Sequence, residues 1–438
     1  MNKFMSKLSL VFVFSLIFSA GFAQIKPAKD QAYLVDGQGK PFFWLGDTAW
    51  ELIHRLDKKE IESYFKKRAS QGYNVIQTVA LAELDGLTAP NRNGDLPLID
   101  QDPAKPNEAY FKWVDWVVEC AQRYDLQIAL LPTWGDKIKL VWGPGPVVFN
   151  PENAYAYGKF IGERYKDQPN IIYVLGGDRN METDEELATV NAMAKGIQEQ
   201  DHGKHMMTYH PRGGYAASMI VKDAKWLDLD ILQTGHWRKR YPTDSLIAEV
   251  RQPNRPILDG EPCYEDHPIQ WKPEIGFFHA LDIRQSAYRS VFAGACGHTY
   301  GHHGIWQMWQ KGREPISSVE VDWKHGLKAK GGGQMQYLKK LMEQCRWYEL
   351  TPTHISTDAD DTLQALTSDH HLLIYQEQAK NFTVNINDLP MSISIFDPAT
   401  GKSKRLENHS LTNNIEVNFP KKYINRDAVI IITLGNNS

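Results

Sequence analysis

Two carboxylates, each preceded by glycine, carry the chemistry most legible in this sequence. Gly176-Gly177-Asp178 closes the apolar run Ile171–Gly177, and Asp259-Gly260-Glu261 closes the run Pro256–Glu261. A pair of carboxyl groups can break a glycosidic bond: one protonates the leaving oxygen, and the other attacks the anomeric carbon or activates water. The glycines remove side-chain bulk, so that a substrate can approach closely. Asp178 is read as the acid/base and Glu261 as the nucleophile. The competing reading makes either one a buried salt-bridge partner, for example of Arg212.

Other apolar runs also end in polar and aromatic residues. Asp47 and Trp50 follow the first run, Glu83 and Asp85 the second, and Trp134 and Asp136 the third. Tyr209-His210-Pro211-Arg212 ends the fifth, Gly235-His236-Trp237 the sixth, and Tyr264 lies just beyond the seventh. The eighth leads into His298, Tyr300, His302, His303 and Trp306. Tyr and Trp offer flat, partly polar faces to a ligand. Asp47, Trp50, Trp134, His210, His236, Trp237, Tyr264, His298, Tyr300 and Trp306 are therefore the expected substrate-binding residues. Asp259 is expected deeper and structural, and Glu83, Asp85 and Asp136 are expected as solvated loop residues. The histidines after residue 297 invite a metal, but there is no HExxH, no Cys/His set and no paired histidine on the first run. No metal and no cofactor are expected.

The positions of these residues follow from the elements that carry them. Eight short apolar runs recur: Phe42–Gly46, Asn74–Leu81, Gln127–Pro132, Ile171–Gly177, His205–His210, Ile231–His236, Pro256–Glu261 and Ala295–Tyr300. Runs that are apolar throughout suit parallel strands covered on both faces. Helix signals lie between them: Asp57 with Glu60, Asn150 before Pro151, and Thr183 with Glu186. Later helices are expected over Phe277–Ala293 and Gln334–Trp347. Eight βα units without a GxGxxG loop predict a (β/α)₈ TIM barrel, whose active site lies at the C-terminal ends of its strands. Beyond Thr351 the pattern turns to short strands, Thr362–Thr367, His371–Tyr375, Phe382–Ile386, Ser392–Phe396, Ile415–Phe419 and Ala428–Thr433. These predict a small all-β sandwich over 351–438, after a barrel over 24–350 that opens with a hairpin at Tyr33–Asp36.

Residues 1–23 read as a secretory leader: Lys3 and Lys7, the apolar stretch Leu8–Phe18, then Gly21 and Ala23 before Gln24. The expected mature chain is exported, periplasmic or extracellular, with no membrane-spanning segment. Four cysteines are expected mainly as buried thiols, with Cys263 and Cys296 near the ends of consecutive strands and within reach of a bridge. The 438 residues carry 53 acidic and 49 basic side chains, net −4, so no positive field draws nucleic acid or anionic lipid. The excess is aromatic: 13 Trp, 19 Tyr and 17 Phe.

Taken together, Pro41-Phe-Phe-Trp-Leu-Gly-Asp-Thr-Ala-Trp50, Gly176-Gly-Asp178, Tyr209-His-Pro-Arg212, Gln233-Thr-Gly-His236 and Asp259-Gly-Glu261-Pro resemble the apiosidase-like glycoside hydrolases. The resemblance spans nearly the whole mature chain. It implies a barrel followed by a small β-domain named for collagen binding in a collagenase. It also implies action on plant cell-wall polysaccharide, releasing apiose-linked side chains of the pectin rhamnogalacturonan II. By matching motif its catalytic carboxylates fall on Asp178 and Glu261, and a retaining mechanism is expected. A non-catalytic carbohydrate- or matrix-binding barrel would be expected to lose one of the two carboxylates; this sequence has both.

Overall fold

In a computed structural model, residues 24–238, 243–357, 363–386, 390–406 and 413–435 are described. The expected leader lies outside them. Eight parallel strands form the barrel: β1 Trp44–Thr48, β2 Val75–Leu81, β3 Gln127–Thr133, β4 Ile171–Gly176, β5 Met207–His210, β6 Asp230–Gln233, β7 Ile257–Asp259 and β8 Gly297–Tyr300. Each falls on one of the eight expected runs. The principal helix after each strand is, in order, α1 Lys58–Ser70, α2 Glu108–Gln122, α3 Pro151–Tyr165, α4 Asp184–Asp201, α5 Ala217–Ile220, α6 Thr243–Val250, α7 Ala280–Phe292 and α8 Lys330–Gln344.

The strands are buried on both faces, and their residues alternate between two cores. Val75 and Val79 of β2, Ala129 and Leu131 of β3, and Ile172 and Val174 of β4 share one cluster, which includes the barrel interior. Ile76 and Ala80, Ile128 and Leu130, and Ile171 and Tyr173 point instead to the helix layer. Hydrogen bonding runs β5–β4–β3–β2–β1–β8–β7–β6. The seam between β5 and β6 is crossed by the Asp228 N–H to Met207 O (3.0 Å), the Met207 N–H to the Asp228 carboxylate (2.9 Å) and the Thr208 hydroxyl to Leu229 O (2.6 Å). The two-residue strand Tyr215–Ala216 adds antiparallel to β6 and was too short to be read from sequence.

Helix starts follow side-chain chemistry. Asp57, Asn150 and Thr183 each accept the backbone N–H three residues on, as the sequence predicts. α7 begins three residues after the expected Phe277, where Asp282 reaches back to the His279 N–H (2.8 Å). α8 begins four residues before the expected Gln334. The buried Glu265 carboxylate accepts the Gly331 and Gly332 N–H groups at 2.9 and 3.0 Å, an anion seated on the helix start.

After α8 come two antiparallel sheets, one of six strands and one of three. The central strands of the six-stranded sheet are covered on both faces. Leu372, Ile374, Ile430 and Ile432 pack toward Val384 and Val417 of the small sheet. Leu373, Tyr375, Val429 and Phe396 pack toward the barrel helices. The edge strand Lys402–Arg405 is exposed along its length and too polar to be read as a strand; its lysines and arginine blunt an open edge. Thr362, in one expected strand, lies outside the described residues. A three-stranded sheet at the other end, Lys26–Pro27, Leu34–Val35 and Pro41–Phe42, extends the expected hairpin. All four cysteines are buried free thiols, so Cys263 and Cys296 are not bridged.

The β-domain is locked to the barrel by a fork-to-fork pair. Arg284 of α7 donates to both Asp427 oxygens, at 2.8 and 2.7 Å, and both side chains are buried. Tyr288 stacks on Tyr375 beside it, with ring centres 5.0 Å apart. Asp427→Ala leaves a buried guanidinium unpaired, and a loss of about 3–5 kcal/mol is expected in denaturant unfolding. Arg284→Met in the same chain should recover part of it, because the stranded charge is then gone.

Candidate active site

The β4 end makes a turn that side chains resist. Gly176, Gly177 and Asp178 all have positive φ, at 85°, 113° and 54°. A Cβ on Gly177 would lie 2.8 Å from the Gly135 nitrogen and 3.0 Å from the Trp134 ring, so glycine is required there. Asp178 adopts the left-handed conformation without being glycine, a strained backbone of the kind held at functional positions. Its N–H donates to Nδ1 of His210, at the end of β5, at 3.2 Å. That contact leaves the ring proton on Nε2, which lies 3.0 Å from Oε2 of Glu261. His236, beyond β6, brings its own Nε2 to 3.4 Å from the other Glu261 oxygen. One imidazole thus touches both residues of the carboxylate pair.

The two carboxyl groups face one cavity of about 760 Å³, ample for a small ligand. Trp50, Trp134, Trp142, Trp237, Trp271 and Trp306 line it, with Glu83, Arg212, Gln233, His236 and Tyr264. On the acid side Arg179 is the hub. Its guanidinium donates to the carbonyls of Lys139 (3.2 Å), Asp178 (2.8 Å) and Trp142, and lies 3.6 Å from the Asp178 carboxylate and 3.9 Å from that of Glu83. On the Glu261 side, His236 stacks on His267 at 3.8 Å, and Trp271 sits edge-on to both.

The surroundings drive the two carboxyl groups apart. The Asp178 side chain keeps 21% of its surface accessible. The cavity walls still exclude most bulk water, and this desolvation, with the negative Glu261 nearby, raises Asp178 to about 7 against the partial relief from Arg179 and His210. Burial would raise Glu261 too, but its contacts with His210 and His236 outweigh burial and hold it at about 2. Glu83 is pushed up to about 8 by burial and by the negative fields of Asp178 and Asp136. At neutral pH one carboxylate is ionised and a partner can carry a proton, the division of labour that acid/base chemistry on a glycoside requires.

Seven of the ten expected substrate-binding residues meet at this site: Trp50, Trp134, His236, Trp237, Tyr264 and Trp306 line the cavity, and His210 sits behind the carboxylate pair. Three do not reach it. Asp47 is fully buried, bonded to the Tyr64 hydroxyl and to Nε of Arg68 at 2.5 Å. It neutralises a guanidinium that also lies 4.9 and 5.2 Å from the Tyr73 and Tyr300 rings. Tyr300 donates to Glu265 at 2.7 Å and so helps seat α8. His298 is fully buried on β8, and desolvation lowers it to about 3. A strand's last residues alternate between cavity and surroundings, and sequence position alone does not separate them. Asp259 is buried and accepts the Thr234 hydroxyl at 2.7 Å, a structural place. Glu83 and Asp136 are not solvated loop residues: Glu83 lines the cavity, and Asp136 is buried against Lys137 at 2.9 Å. Trp142, Arg179, Gln233 and Trp271 were missed. Trp142-Gly-Pro-Gly-Pro146, a tryptophan in a Gly/Pro-rich turn, was the local signal for the first, while Arg179 and Gln233 stand beside or within motifs already noted. Among the described residues no three His, Cys, Asp or Glu side chains gather as a metal site. No described helix is long and apolar enough to cross a membrane.

Asp47→Ala tests the structural reading of that residue. It strands the buried Arg68 and should cost about 3–5 kcal/mol in denaturant unfolding. A ligand-binding role would instead leave stability unchanged.

Residues 28–349 match the family described as "Apiosidase-like, catalytic domain", and residues 353–433 match "Putative collagen-binding domain of a collagenase". Among solved structures, one described as "Glycoside hydrolase" is 28% identical, with a TM-score of 0.85 over 95% of this chain and 98% of the other. A glycoside hydrolase family 5 protein from Bacteroides vulgatus ATCC 8482 is 27% identical, with a TM-score of 0.85 over 94% of each chain. A family 5 mannosidase from Rhizomucor miehei, 15% identical with a TM-score of 0.54 over 74% of this chain and 99% of the other, shares the fold. No curated protein matches the sequence.

Proposed function

This chain belongs to the apiosidase-like family, whose solved neighbours are glycoside hydrolases, and on that premise we propose that it cleaves apiosyl linkages in the pectin rhamnogalacturonan II by a retaining mechanism. The observation that carries the catalytic part is the placement of Asp178 and Glu261 on one cavity, with His210 touching both residues; the opposite directions in which their surroundings push the two carboxyl groups agree with it. The choice of sugar rests on the family. The aromatic lining suits a carbohydrate, since indole faces pack on C–H surfaces while their N–H groups bind hydroxyls.

The chemistry divides into two displacements. In the first, a Glu261 oxygen forms a bond to the anomeric carbon as the bond to the leaving oxygen breaks, and the Asp178 proton passes to that oxygen. In the second, Asp178, now a carboxylate, takes a proton from water. The resulting hydroxyl replaces Glu261 at the anomeric carbon, which frees the carboxylate and restores the acid. His210 and His236 hold Glu261 ionised before the first step and accept its return after the second. The β-domain acts as a fixed module on α7 and α8, a reading supported by the Arg284–Asp427 lock. The leader-like start of the sequence supports export to the plant polysaccharide.

Activity needs Asp178 protonated and Glu261 ionised. It should therefore fall as pH rises through the Asp178 value of about 7, and on the acid side only as pH drops toward the Glu261 value of about 2. The wild type, incubated with a panel of pectic oligosaccharides, should release apiose. Asp178→Asn should lower turnover about 10²–10⁴-fold and abolish the alkaline limb. Glu261→Gln should lower it about 10⁴-fold or more. Near wild-type turnover by both variants would refute the assignment, and binding without hydrolysis by the wild type would make the protein a carbohydrate-binding barrel.

A further inference from the structure

Trp142 is held in an unusual way for an exposed aromatic residue. The residue keeps 42% of its surface accessible, yet three interactions fix it. Its indole N–H donates to Oδ2 of Asp178 at 3.0 Å. The Arg179 guanidinium lies 4.1 Å from its ring centre. The same guanidinium donates to its backbone carbonyl. The loop that carries it is pinned as well: the Asp136 carboxylate accepts the Gly145 N–H at 2.9 Å, and Val148 and Phe149 donate to the Lys137 carbonyl at 2.9 and 3.1 Å. An indole held this firmly while wet gains little for folding, because its apolar surface stays in water. Arg179 covers the ring from one side, and Trp142 is one of the residues that line the cavity.

We propose that Trp142 is a positioning and specificity residue with two functions: its N–H orients the Asp178 carboxyl, and its open face is the platform for the sugar on the leaving side of the scissile bond. The inference rests on the glycosidase reading above and assigns one subsite within it. The side follows from the chemistry. An acid must come within about 2.6–3.2 Å of the oxygen it protonates. A ring whose N–H is 3.0 Å from that same carboxyl group therefore borders the leaving group and not the sugar held at Glu261. The walls agree: Trp142, Arg179 and Glu83 surround the acid, whereas His236, His267 and Trp271 surround the Glu261 end. The ligand is a carbohydrate ring linked through the oxygen that Asp178 protonates.

The test uses two variants and two substrates of the sugar that the wild type releases: its oligosaccharide, and its glycosyl fluoride. Fluoride leaves with little help from an acid and has no ring to stack. Trp142→Phe keeps a flat face and loses the N–H. Since donation to a carboxylate favours its ionised form, the alkaline limb of kcat/KM on the oligosaccharide should move up by about half a pH unit. Trp142→Ala loses both functions. Its kcat/KM ratio, oligosaccharide over fluoride, should fall at least about tenfold, mainly through KM. The site is exposed, and circular dichroism with thermal melting checks that both variants fold. An unmoved alkaline limb in Trp142→Phe overturns the orienting function, and a Trp142→Ala ratio within about twofold of wild type overturns the platform. A wild type that turns over neither substrate refutes the glycosidase reading and this inference with it; wild-type turnover with unmoved variants refutes this inference alone.

Discussion

The site depends on one imidazole with two neighbours. His210 accepts the backbone N–H of Asp178 through one nitrogen and faces Glu261 with the other. The first contact fixes which nitrogen bears the proton, and the second places that proton beside the carboxylate that must stay ionised. Because β4 and β7 are not neighbours in the barrel, the two carboxyl groups need a common reference across its mouth. His210, at the end of β5, supplies it. The three consecutive positive φ values at residues 176–178 are the conformational cost of bringing Asp178 to that reference, and glycine at two of the three positions keeps the cost low.

Opposed ionisation is a product of environment and not of residue type. Both groups are enclosed, and enclosure alone would raise both. What separates them is the set of partners: ring nitrogens beside both oxygens of Glu261, against one guanidinium at 3.6 Å and a negative neighbour for Asp178. Glu83 extends the pattern, since a third carboxyl group in the same field is pushed higher still. Of the three carboxyl groups in one cavity, the one beside two imidazoles keeps its charge most readily.

The barrel was legible because its strands are covered on both faces. Continuous apolar runs such as Ile171–Gly177 are dictated by two cores pressing on one strand, and each overlaps an observed strand, with ends that differ by up to three residues. The carboxylate pair was legible because glycine marks the turns that aim it. What escaped the sequence depends on distant contacts. Asp47 lies near the end of its strand and Asp178 just beyond the end of another, yet Tyr64 and Arg68 draw Asp47 into the wall. The early start of α8 depends on Glu265, which lies 65 residues before Lys330. Lys402–Arg405 forms a strand by pairing alone, with no buried side chain to announce it. Of the 13 Trp, twelve lie between residues 44 and 323. Six of these line the cavity, so the aromatic excess is concentrated where a sugar would bind.

The central claim is that Glu261 forms a covalent bond to the sugar while Asp178 moves the proton. Trapping that intermediate tests it directly: the enzyme is incubated with a 2-deoxy-2-fluoro glycosyl fluoride of its substrate sugar, digested, and the labelled peptide sequenced by mass spectrometry. The account predicts a single label, on Glu261. A label on Asp178 or Glu83, or release of product with inverted configuration and no labelled protein, would contradict it.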